Sequence, residues 1–430
     1  MSVVTELHVP DELASAVIRP ENYPRLEEVV LPACRRLRDE IPFGIATVEG
    51  WDPVWLASRH ADITAIAKNQ QVFLNGDFPH LPSTATVEFA REVSGSTHRS
   101  FDYPSYMDAP EHVAFRTSVM PYFQPAKVRE VYEARFRQFA KDSVDALMDH
   151  DGEADFVKDF STYYPLRVVL GMLGLDVDKA DLLLKFTIEF FGIHDPANQR
   201  PEFRGLPDAA ARQYSAAIKD LLEYFSDLRK QRLATPTDDL VTWINSVRID
   251  GEPWPDSHAD SFLAGVAPAG HDTTSSTVAG GMLGMLRFPD QFQKVKENPA
   301  LLSGLVEESL RYTTPAKHFM RVAAQDTEVN GIPVSEGERI MMLFVSGNRD
   351  ERVFENPDTF DVTRRPNPHL SFSQGPHICT GMHVARLEMR ILWEELLGRV
   401  KSIELAGDIA YEQSNLVSGL KTLPVRFTKV

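Results

Sequence analysis

The stretch that most constrains how this chain can fold runs from Phe372 to Arg386 and reads FSQGPHICTGMHVAR. Gly375 and Pro376 predict a turn, and Cys379 follows it. From Thr380 onward apolar residues recur at helical spacing, so the sulfur is expected at the N-terminal end of a helix. Unpaired helix N–H groups and the positive end of the helix dipole stabilise a negative sulfur there. The sequence therefore predicts a thiolate that serves as a metal ligand.

The residues around this cysteine resemble those of a known family. The positions that match the haem-binding signature of the cytochrome P450 family are Phe372, Gly375, His377, Cys379, Gly381, Ala385 and Arg386. The resemblance implies that the cofactor is haem b and that Cys379 is its iron ligand, with Phe372, Gly375, His377 and Gly381 in the haem site. Gly375 and Gly381 also lack the Cβ that would keep a planar macrocycle away from the backbone. A buried, inert cysteine after a turn would explain Cys379 but not its flanks.

A second stretch predicts a long helix. Residues 256–288 are mostly apolar or small and contain the run AGHDTT, which begins at Ala269. Pro268 has no N–H, so we expect it to break the helix and to leave the carbonyl of Ala264 without its helical partner. The hydroxyl of Thr273 can bond the carbonyl of Ala269, four residues back. We therefore expect a locally opened turn at this point.

The run AGHDTT also matches the oxygen-activation motif of the cytochrome P450 family. The match implies that Asp272 and Thr273 are catalytic, with Asp272 linking the site to protons from solvent. It also implies that Ala269 lies against the haem. An ordinary Asp-Thr-Thr on a solvent-facing helix would not be flanked by apolar and small residues.

An acid–base pair lies between these two motifs. Glu308 and Arg311 are spaced i, i+3, so their charged groups meet on one face of a helix. Such pairs are common on surface helices, so the prediction of a special role depends on the position of the pair between the two motifs. By resemblance, Arg364 would complete a buried triad that fixes the loop carrying Cys379. Its role would be structural rather than catalytic.

The two propionates of a haem require cations and hydrogen-bond donors at its edge. By resemblance, the residues that supply them are His112, Arg116, Arg321 and His377. His112 and Arg116 are spaced i, i+4 at the start of a predicted helix. A surface role is the default for any one of these side chains. All four in the register of the family favour the haem site.

The periodicity along the chain predicts a mainly α protein with a minor β part. The resemblance implies the cytochrome P450 fold, in which a long central helix lies over the haem beside small β-sheets. We find no linker, internal repeat or block of one charge, so a single domain over residues 1–430 is expected. A mostly helical region from 111 to 233 is interrupted at residues 191–207, which we interpret as a lid.

The composition excludes several classes of function. A net charge of −17 argues against nucleic acid or an anionic membrane as the main partner. Two cysteines cannot form a disulfide framework when one of them binds iron. No signal peptide or membrane-spanning run is visible, so a cytoplasmic protein is expected, and we take it to be a monomer. Zinc patterns, a phosphate-binding glycine loop and a dinucleotide fingerprint are also missing from the sequence.

Without a flavin or nicotinamide module, the chain must receive its electrons from a separate protein. The resemblance implies a [2Fe-2S] ferredoxin with its NAD(P)H-dependent reductase. Four basic residues lie in segments that surround the cysteine side of the haem in this family, where an acidic ferredoxin would approach. They are Arg116, Lys127, Arg129 and Arg390.

Within the family, the chain is similar to soluble bacterial members of the terpene-hydroxylating group that includes α-terpineol hydroxylase, through the segments AGHDTTSS, KHFMR and FFGIHDP. This implies a monooxygenase that inserts one atom of O₂ into a C–H bond of a small, mostly apolar terpenoid or alkyl-aromatic substrate. The residues expected to line the pocket offer little to hydrogen-bond. They are Phe101, Ser105, Phe262, Val266, Ala269 and Val417. Lys317 either extends to solvent or pairs outside the pocket; if it points inward, it demands a polar or anionic substrate group.

Two alternatives of other kinds stay open at this point. A non-catalytic haem-binding sensor or carrier would need Cys379 and the propionate partners but not Asp272 and Thr273. A peroxide-driven haem enzyme is the nearer alternative, and family members of that type usually replace the acid–alcohol pair. Consumption of reduced nicotinamide with formation of a hydroxylated product separates all three.

Overall fold

The structure is a computed structural model that describes residues 7–76, 78–94, 99 and 102–430. Helices dominate it, which confirms the predicted mainly α fold with a minor β part. Nowhere in the described ranges is a helix both long and apolar enough to cross a bilayer. In chain order the α-helices are α1 (Asp11–Ile18), α2 (Leu31–Glu40), α3 (His60–Lys68), α4 (Thr84–Ser94), α5 (Glu111–Val119), α6 (Pro125–Met148), α7 (Tyr163–Met172), α8 (Ala180–Phe191), α9 (Ala209–Ala234), α10 (Leu240–Ser246), α11 (Asp256–Arg287), α12 (Pro289–Glu297), α13 (Leu302–Thr313), α14 (Phe344–Gly347) and α15 (Met382–Arg399).

The strands are short and form small sheets. In chain order they are β1 (Phe43–Ala46), β2 (Val54–Ala57), β3 (Phe73–Leu74), β4 (Glu153–Asp155), β5 (Arg248–Ile249), β6 (Glu252–Pro253), β7 (His318–Ala323), β8 (Thr327–Val329), β9 (Ile332–Val334), β10 (Arg339–Leu343), β11 (Val400–Leu405), β12 (Ala410–Tyr411), β13 (Leu420–Thr422) and β14 (Pro424–Lys429). The largest sheet has the order β1-β2-β10-β7-β3, with β2 and β10 parallel and its other pairs antiparallel. A second sheet has the order β11-β14-β4, and three two-stranded pairs complete the described part.

Helix α11 is the element against which many of the others pack. Its residues are almost all buried from Ala259 to Met285, as their apolar and small side chains predict. A Cβ at Gly281 would lie 2.3 Å from the hydroxyl oxygen of Ser309 on α13, so glycine is needed for this close approach. The prediction that Pro268 breaks the helix is wrong, because α11 continues through it. One backbone hydrogen bond is lost at the proline, but the packing of neighbouring elements against α11 keeps the helix continuous there.

The predicted interruption near residues 191–207 is present as an irregular segment between α8 and α9. Arg200 in this segment pairs with Glu189 of α8 at 2.5 Å and with Asp220 of α9 at 2.7 Å. Asp195 in the same segment pairs with Lys421 of β13 at 2.7 Å. The segment is thus tied to both flanking helices and to the C-terminal strands.

Candidate active site

The loop that carries Cys379 is short and internally bonded. A 3₁₀ turn at Gly375–His377 precedes the cysteine, and the N–H of Cys379 donates to the carbonyl of Phe372 at 2.8 Å. The backbone N–H of Gly381 donates to the cysteine sulfur, just before α15 begins at Met382. The sulfur therefore lies at the N-terminal end of a helix, as the spacing predicts.

Gly375 is required for a different reason from the one predicted from the sequence. Its φ of +72° is in the left-handed region that favours glycine. An added Cβ would lie 2.6 Å from the carbonyl oxygen of Ala67, at the end of α3, and Gly375 is not among the residues that line the cavity beside Cys379. The glycine is therefore required by the turn and by α3. Gly381, by contrast, lines the cavity.

The electrostatics of Cys379 correct the expectation that helix geometry alone would favour the thiolate. Cys379 is accessible from the cavity, but the protein around the sulfur still desolvates it and raises the pKa of the thiol, and this effect exceeds the lowering by the Gly381 N–H and by the charges of Arg116 and Arg386. The helix end is too weak to offset desolvation. The proton of Cys379 would therefore leave when a metal ion binds, as thiols do at metal sites.

The Glu308 triad has the predicted partners. Arg311 donates twice to Glu308, at 2.6 and 2.8 Å, and Arg364 donates to the same carboxylate at 3.2 and 3.3 Å. Glu308 and Arg311 are fully buried. The carboxylate also accepts the N–H of Asp361 at 2.9 Å and the side-chain amide of Asn367 at 3.1 Å.

The two guanidinium groups use their remaining donors on the irregular segment that leads to the cysteine loop. Arg311 binds the carbonyls of residues 348, 357 and 359, and Arg364 binds those of residues 355, 356 and 359. This segment has few regular backbone partners, so side chains satisfy its carbonyls. The triad thereby fixes the approach to Cys379.

Helix α11 forms another part of the cavity wall. Ala269, Gly270 and Thr273 line the cavity together with Cys379. The hydroxyl of Thr273 donates to the carbonyl of Ala269 at 2.8 Å, as the sequence predicts. The structure therefore brings a thiol and a threonine hydroxyl to one cavity.

Asp272 is not one of the cavity-lining residues. Burial raises its pKa to about 7, and the negative charge of Asp272 contributes to a raised pKa at Glu412. Glu412 accepts the N–H of Gly419 at 3.4 Å, and a Cβ at Gly419 would lie 2.3 Å from the hydroxyl oxygen of Ser276 on α11. Glu412 thus lies beside the part of α11 that carries Asp272, and no pattern in the sequence indicated it.

Sequence reasoning also missed a buried carboxyl group on α15. Glu388 lines the cavity and accepts the hydroxyl of Thr274 at 3.2 Å, while its second oxygen has no partner in the described part of the chain. Burial raises its pKa well above the usual range, so the group is neutral. In the sequence, Glu388 is one of several polar residues on the helix that contains Val384 and Leu387. Nothing in that spacing indicates that its side chain is buried.

The four predicted propionate partners lie together at the cavity. His112 and His377 stack with ring centroids 3.7 Å apart, and both line the cavity with Arg116 and Arg321. Both ring nitrogens of His112 and Nε2 of His377 are buried without a hydrogen-bond partner among the described residues. Neither arginine forms an ion pair with a described carboxylate, although Arg321 is almost fully buried. Burial lowers the pKa of His112 to about 4 and that of His377 to about 2.

Unpaired buried donors and cations cost free energy, on the order of 1–3 kcal/mol for each unsatisfied group. A cofactor with two carboxylates could accept hydrogen bonds from Arg116, from Arg321 and from an N–H of each imidazole at once. Together with the thiol of Cys379 in the same cavity, this donor set fits a haem.

The cavity wall contains five of the six residues predicted to contact substrate. They are Ser105, Phe262, Val266, Ala269 and Val417. Phe101 lies outside the described residues. Lys317 neither reaches solvent nor lines the cavity: it is buried, and it pairs outside the cavity, where its Nζ donates to the carbonyl of Thr313 at 2.8 Å. Burial lowers its pKa to about 7.

The sequence did not indicate a group of aromatic residues on the same wall. We call it the aromatic wall, and it consists of Tyr103, Tyr106, Phe190, Phe191 and Tyr214. These residues come from the segment before α5, the end of α8 and the start of α9. Their spacing in sequence is irregular, so only the fold shows that they meet.

A family model described as Cytochrome P450 matches residues 102–405 of the chain. The match contains Thr273, the Glu308 triad and Cys379. The chain belongs to the cytochrome P450 family. Its fold and its class, an oxidoreductase of the cytochrome P450 monooxygenase type, follow from this membership.

Relatives of this cytochrome P450 cover three quarters of the chain or more. Cytochrome P450-terp of a Pseudomonas species is 42% identical over 98% of both chains. Steroid C26-monooxygenase of Mycobacterium tuberculosis is 35% identical over 75% of this chain and 85% of its own. The crystal structure of CYP108D1 from Novosphingobium aromaticivorans superposes with a TM-score of 0.89 at 34% identity and covers 98% of this chain and 100% of that one.

Proposed function

We propose that this cytochrome P450 works as a single domain that holds haem b through Cys379. It would insert one oxygen atom of O₂ into a C–H bond of a small, mostly apolar terpenoid or alkyl-aromatic molecule. The observation that carries the proposal is that Cys379 and Thr273, from two separate elements, line one largely apolar cavity. When bound, the haem supplies the activation of oxygen.

Residues of the chain would bind the haem and deliver protons. Arg116, Arg321 and His377 would bind the propionates, and Phe372 would pack beside the cysteine loop. Thr273 holds its hydroxyl at the cavity wall and can pass a proton inward, while Asp272 would replenish that proton from outside the cavity.

The walls favour a compact, apolar substrate. Phe262, Val266 and Val417 present hydrocarbon, and the aromatic wall adds further apolar surface. The similarity to Cytochrome P450-terp supports a terpenoid, whereas the similarity to a steroid C26-monooxygenase raises a larger substrate as the competing class.

Electrons would arrive from a [2Fe-2S] ferredoxin on the cysteine side. Helix α6, which carries Lys127 and Arg129, packs along α15, the helix that follows Cys379. Both side chains are exposed, and each pairs only loosely, at 3.7 Å, with Glu130 and Glu133. They can therefore exchange these partners for carboxylates of an acidic protein.

Charge reversal at Lys127 and Arg129 tests this docking surface. The Lys127→Glu, Arg129→Glu double variant should be reduced more slowly than wild type, and its rate should depend less on salt. Lys219→Glu with Lys230→Glu, on exposed positions of α9, is the matched control. Equal reduction kinetics in both double variants would place the docking site elsewhere.

The function itself is tested with the purified haem protein, a bacterial ferredoxin and its reductase. Limonene, p-cymene and cholest-4-en-3-one are compared for consumption of reduced nicotinamide and for hydroxylated product. We expect product from limonene or p-cymene and none from the steroid. Product from hydrogen peroxide alone would indicate the peroxide-driven class, and haem binding with no product under any condition would indicate a carrier or sensor.

Ligation is tested separately. Cys379→Ser should lose the strongly red-shifted Soret band of the reduced carbonyl complex, which reports thiolate ligation in this family. Cys34→Ser, at a fully buried cysteine on α2, should keep that band. Retention of the band in the Cys379 variant would refute the assignment.

A further inference from the structure

Asn75 connects the segment before α5 to a histidine at the edge of the cavity. It follows β3 and is buried, and its side-chain amide nitrogen donates to the carbonyl of Ser105 at 2.9 Å and lies 3.0 Å from Nδ1 of His377. Asn75, Ser105 and His377 all line the cavity that contains Cys379. One amide group therefore contacts both the cavity wall and a predicted propionate partner.

The two contacts determine the orientation of the amide. A backbone carbonyl can only accept a hydrogen bond, so the atom that faces Ser105 is the NH₂ nitrogen, and its second hydrogen is available to His377. Nδ1 of His377 accepts this hydrogen and carries none of its own, so the hydrogen of the ring is on Nε2. Nε2 is buried without a partner among the described residues. The ring therefore keeps one N–H donor that the described part of the chain does not use.

The carboxylate of Asp108 fixes the backbone of Asn75. It accepts the N–H of Asn75 at 2.8 Å and that of Gly76 at 3.3 Å. The carbonyl of Asp108 accepts the N–H of His112 at 2.8 Å, and the ring of His112 stacks on that of His377. Asp108 thus holds two residues that contact the ring of His377 from different directions.

Closure of the loop would not by itself require the side chain of Asn75. The two backbone bonds to Asp108 already attach residues 75 and 76 to the segment before α5. The oxygen of the Asn75 amide is buried and has no partner among the described residues, which costs free energy. The contribution of this side chain is therefore its pair of N–H donors.

We propose that Asn75 is a positioning residue for haem, which holds the ring of His377 so that its Nε2–H donates to a propionate. A propionate carboxylate only accepts hydrogen bonds, and a ring with its hydrogen on Nδ1 would place a lone pair against the negative charge. The inference rests on the proposed function, because that function places haem in this cavity.

A double-mutant cycle tests whether Asn75 acts through His377. The rate of haem loss from the ferric protein to an excess of apomyoglobin is measured for wild type, Asn75→Leu, His377→Phe and the double variant. Each single variant should lose haem about tenfold faster, at the lower end of the range for a hydrogen bond to a charged group. The double variant should match His377→Phe within about twofold, because no ring nitrogen is left for Asn75 to hold. Effects that multiply in the double variant would show that Asn75 only supports the loop and would overturn the proposal.

Asn245→Leu is the matched control. The amide of Asn245 also donates to a backbone carbonyl, that of Arg229 at 3.1 Å, but Asn245 does not line the cavity. This variant should lose haem at the wild-type rate, and a loss as fast as in Asn75→Leu would overturn the proposal. A cycle with the expected coupling but no hydroxylated product would keep the role of Asn75 and refute the proposed monooxygenase, whereas product formation with effects that multiply would do the reverse.

The position of the ring hydrogen gives a second readout that needs no substitution at Asn75. In protein with isotope-labelled histidine, long-range proton–nitrogen correlation spectra are recorded on the reduced carbonyl complex, which is diamagnetic. They should show His377 with a hydrogen on Nε2 and none on Nδ1, and His377→Phe identifies its signals. A hydrogen on Nδ1 would overturn the proposal even if Asn75→Leu did not fold.

Discussion

Thr273 donates its hydroxyl to the carbonyl oxygen of Ala269, 2.8 Å away and one turn back along α11. The same arrangement recurs one turn later, where Thr277 donates to the carbonyl of Thr273 at 2.7 Å. Two threonines of one helix therefore make the same kind of bond, and both line the cavity. Only Thr273 belongs to the oxygen-activation motif, so the pair provides an internal comparison.

Thr273→Ala should bind substrate and accept electrons almost normally but release peroxide in place of much of the hydroxylated product, because a methyl group cannot pass on a proton. Thr277→Ala removes a hydroxyl in the same geometry and should retain coupling. The measurement is product formed per reduced nicotinamide consumed. Wild-type coupling in Thr273→Ala would mean that protons reach the site through other groups.

Asp272→Asn should slow turnover by roughly 10²-fold, as expected for loss of a positioned acid–base group. Glu412→Gln should change the pH dependence of turnover rather than remove activity, because it removes a titratable carboxyl whose pKa is raised by the charge of Asp272. The pH profile of turnover from pH 5 to 9 separates the two effects. Identical profiles for wild type and Glu412→Gln would show that the two carboxyl groups act independently.

The raised pKa of Asp272 has a consequence for stability with a definite sign. Since the folded pKa is about 7 and the ordinary value is 3.8, the folded state holds the proton more tightly, and the group's contribution to stability falls as pH rises from about 4 to 7. Asp272→Asn removes this loss, so the variant should gain stability relative to wild type with rising pH. The gain should approach about 4 kcal/mol at pH 8, for a shift of about 3 pKa units at about 1.4 kcal/mol per unit.

Urea unfolding of the haem protein at pH 5, 6, 7 and 8, followed by circular dichroism, measures this trend. Asp227→Asn, at an exposed position of α9, controls for the substitution itself. A difference between Asp272→Asn and wild type that stays constant over this range would contradict the prediction.

Glu308→Gln should be strongly destabilising, by about 3–5 kcal/mol, because it leaves two buried guanidinium groups without their carboxylate. The preceding residue offers a control: Glu307 pairs with Arg386 at 2.7 Å and with His369 at 3.0 Å, but it is partly exposed. Glu307→Gln should cost about 1 kcal/mol or less. Denaturant midpoints and haem content report both effects, and equal losses in the two variants would remove the special role of the triad.

Glu388→Gln should change stability by less than about 1 kcal/mol at pH 7, because the carboxyl group is already neutral and the amide can still accept the hydroxyl of Thr274. Glu388→Leu leaves that hydroxyl without its acceptor and should cost more, about 1–3 kcal/mol. Comparable losses in both variants would indicate that Glu388 is ionised in the folded protein.

The local chemistry of this chain could be predicted where it is carried by neighbouring residues. The loop at Cys379, the bond from Thr273 to Ala269 and the pair of Glu308 with Arg311 are all encoded within a few positions. The hairpin turn at Asn330-Gly331, which joins β8 to β9, is equally local.

Features that depend on contacts distant in sequence could not be predicted in the same way. Burial of Glu388, Glu412 and Lys317 depends on which helices and strands pack over them. The periodicity of the sequence around these residues does not predict that packing. The aromatic wall needs three separate segments to converge. At the N-terminus, residues 20–40 form a 3₁₀ turn, a π turn and α2 in succession, and both Pro20 and Pro24 lie in the 3₁₀ turn.

The triad of Glu308, Arg311 and Arg364 has a consequence for how the chain is made. The irregular segment 348–371 takes its shape largely from side chains of α13, which bind its carbonyls and N–H groups. During synthesis from the N-terminus, α13 leaves the ribosome before that segment does, so the template already exists when the segment emerges. Cys379 is synthesised after both, so the loop that carries it can form against a segment that already has its shape.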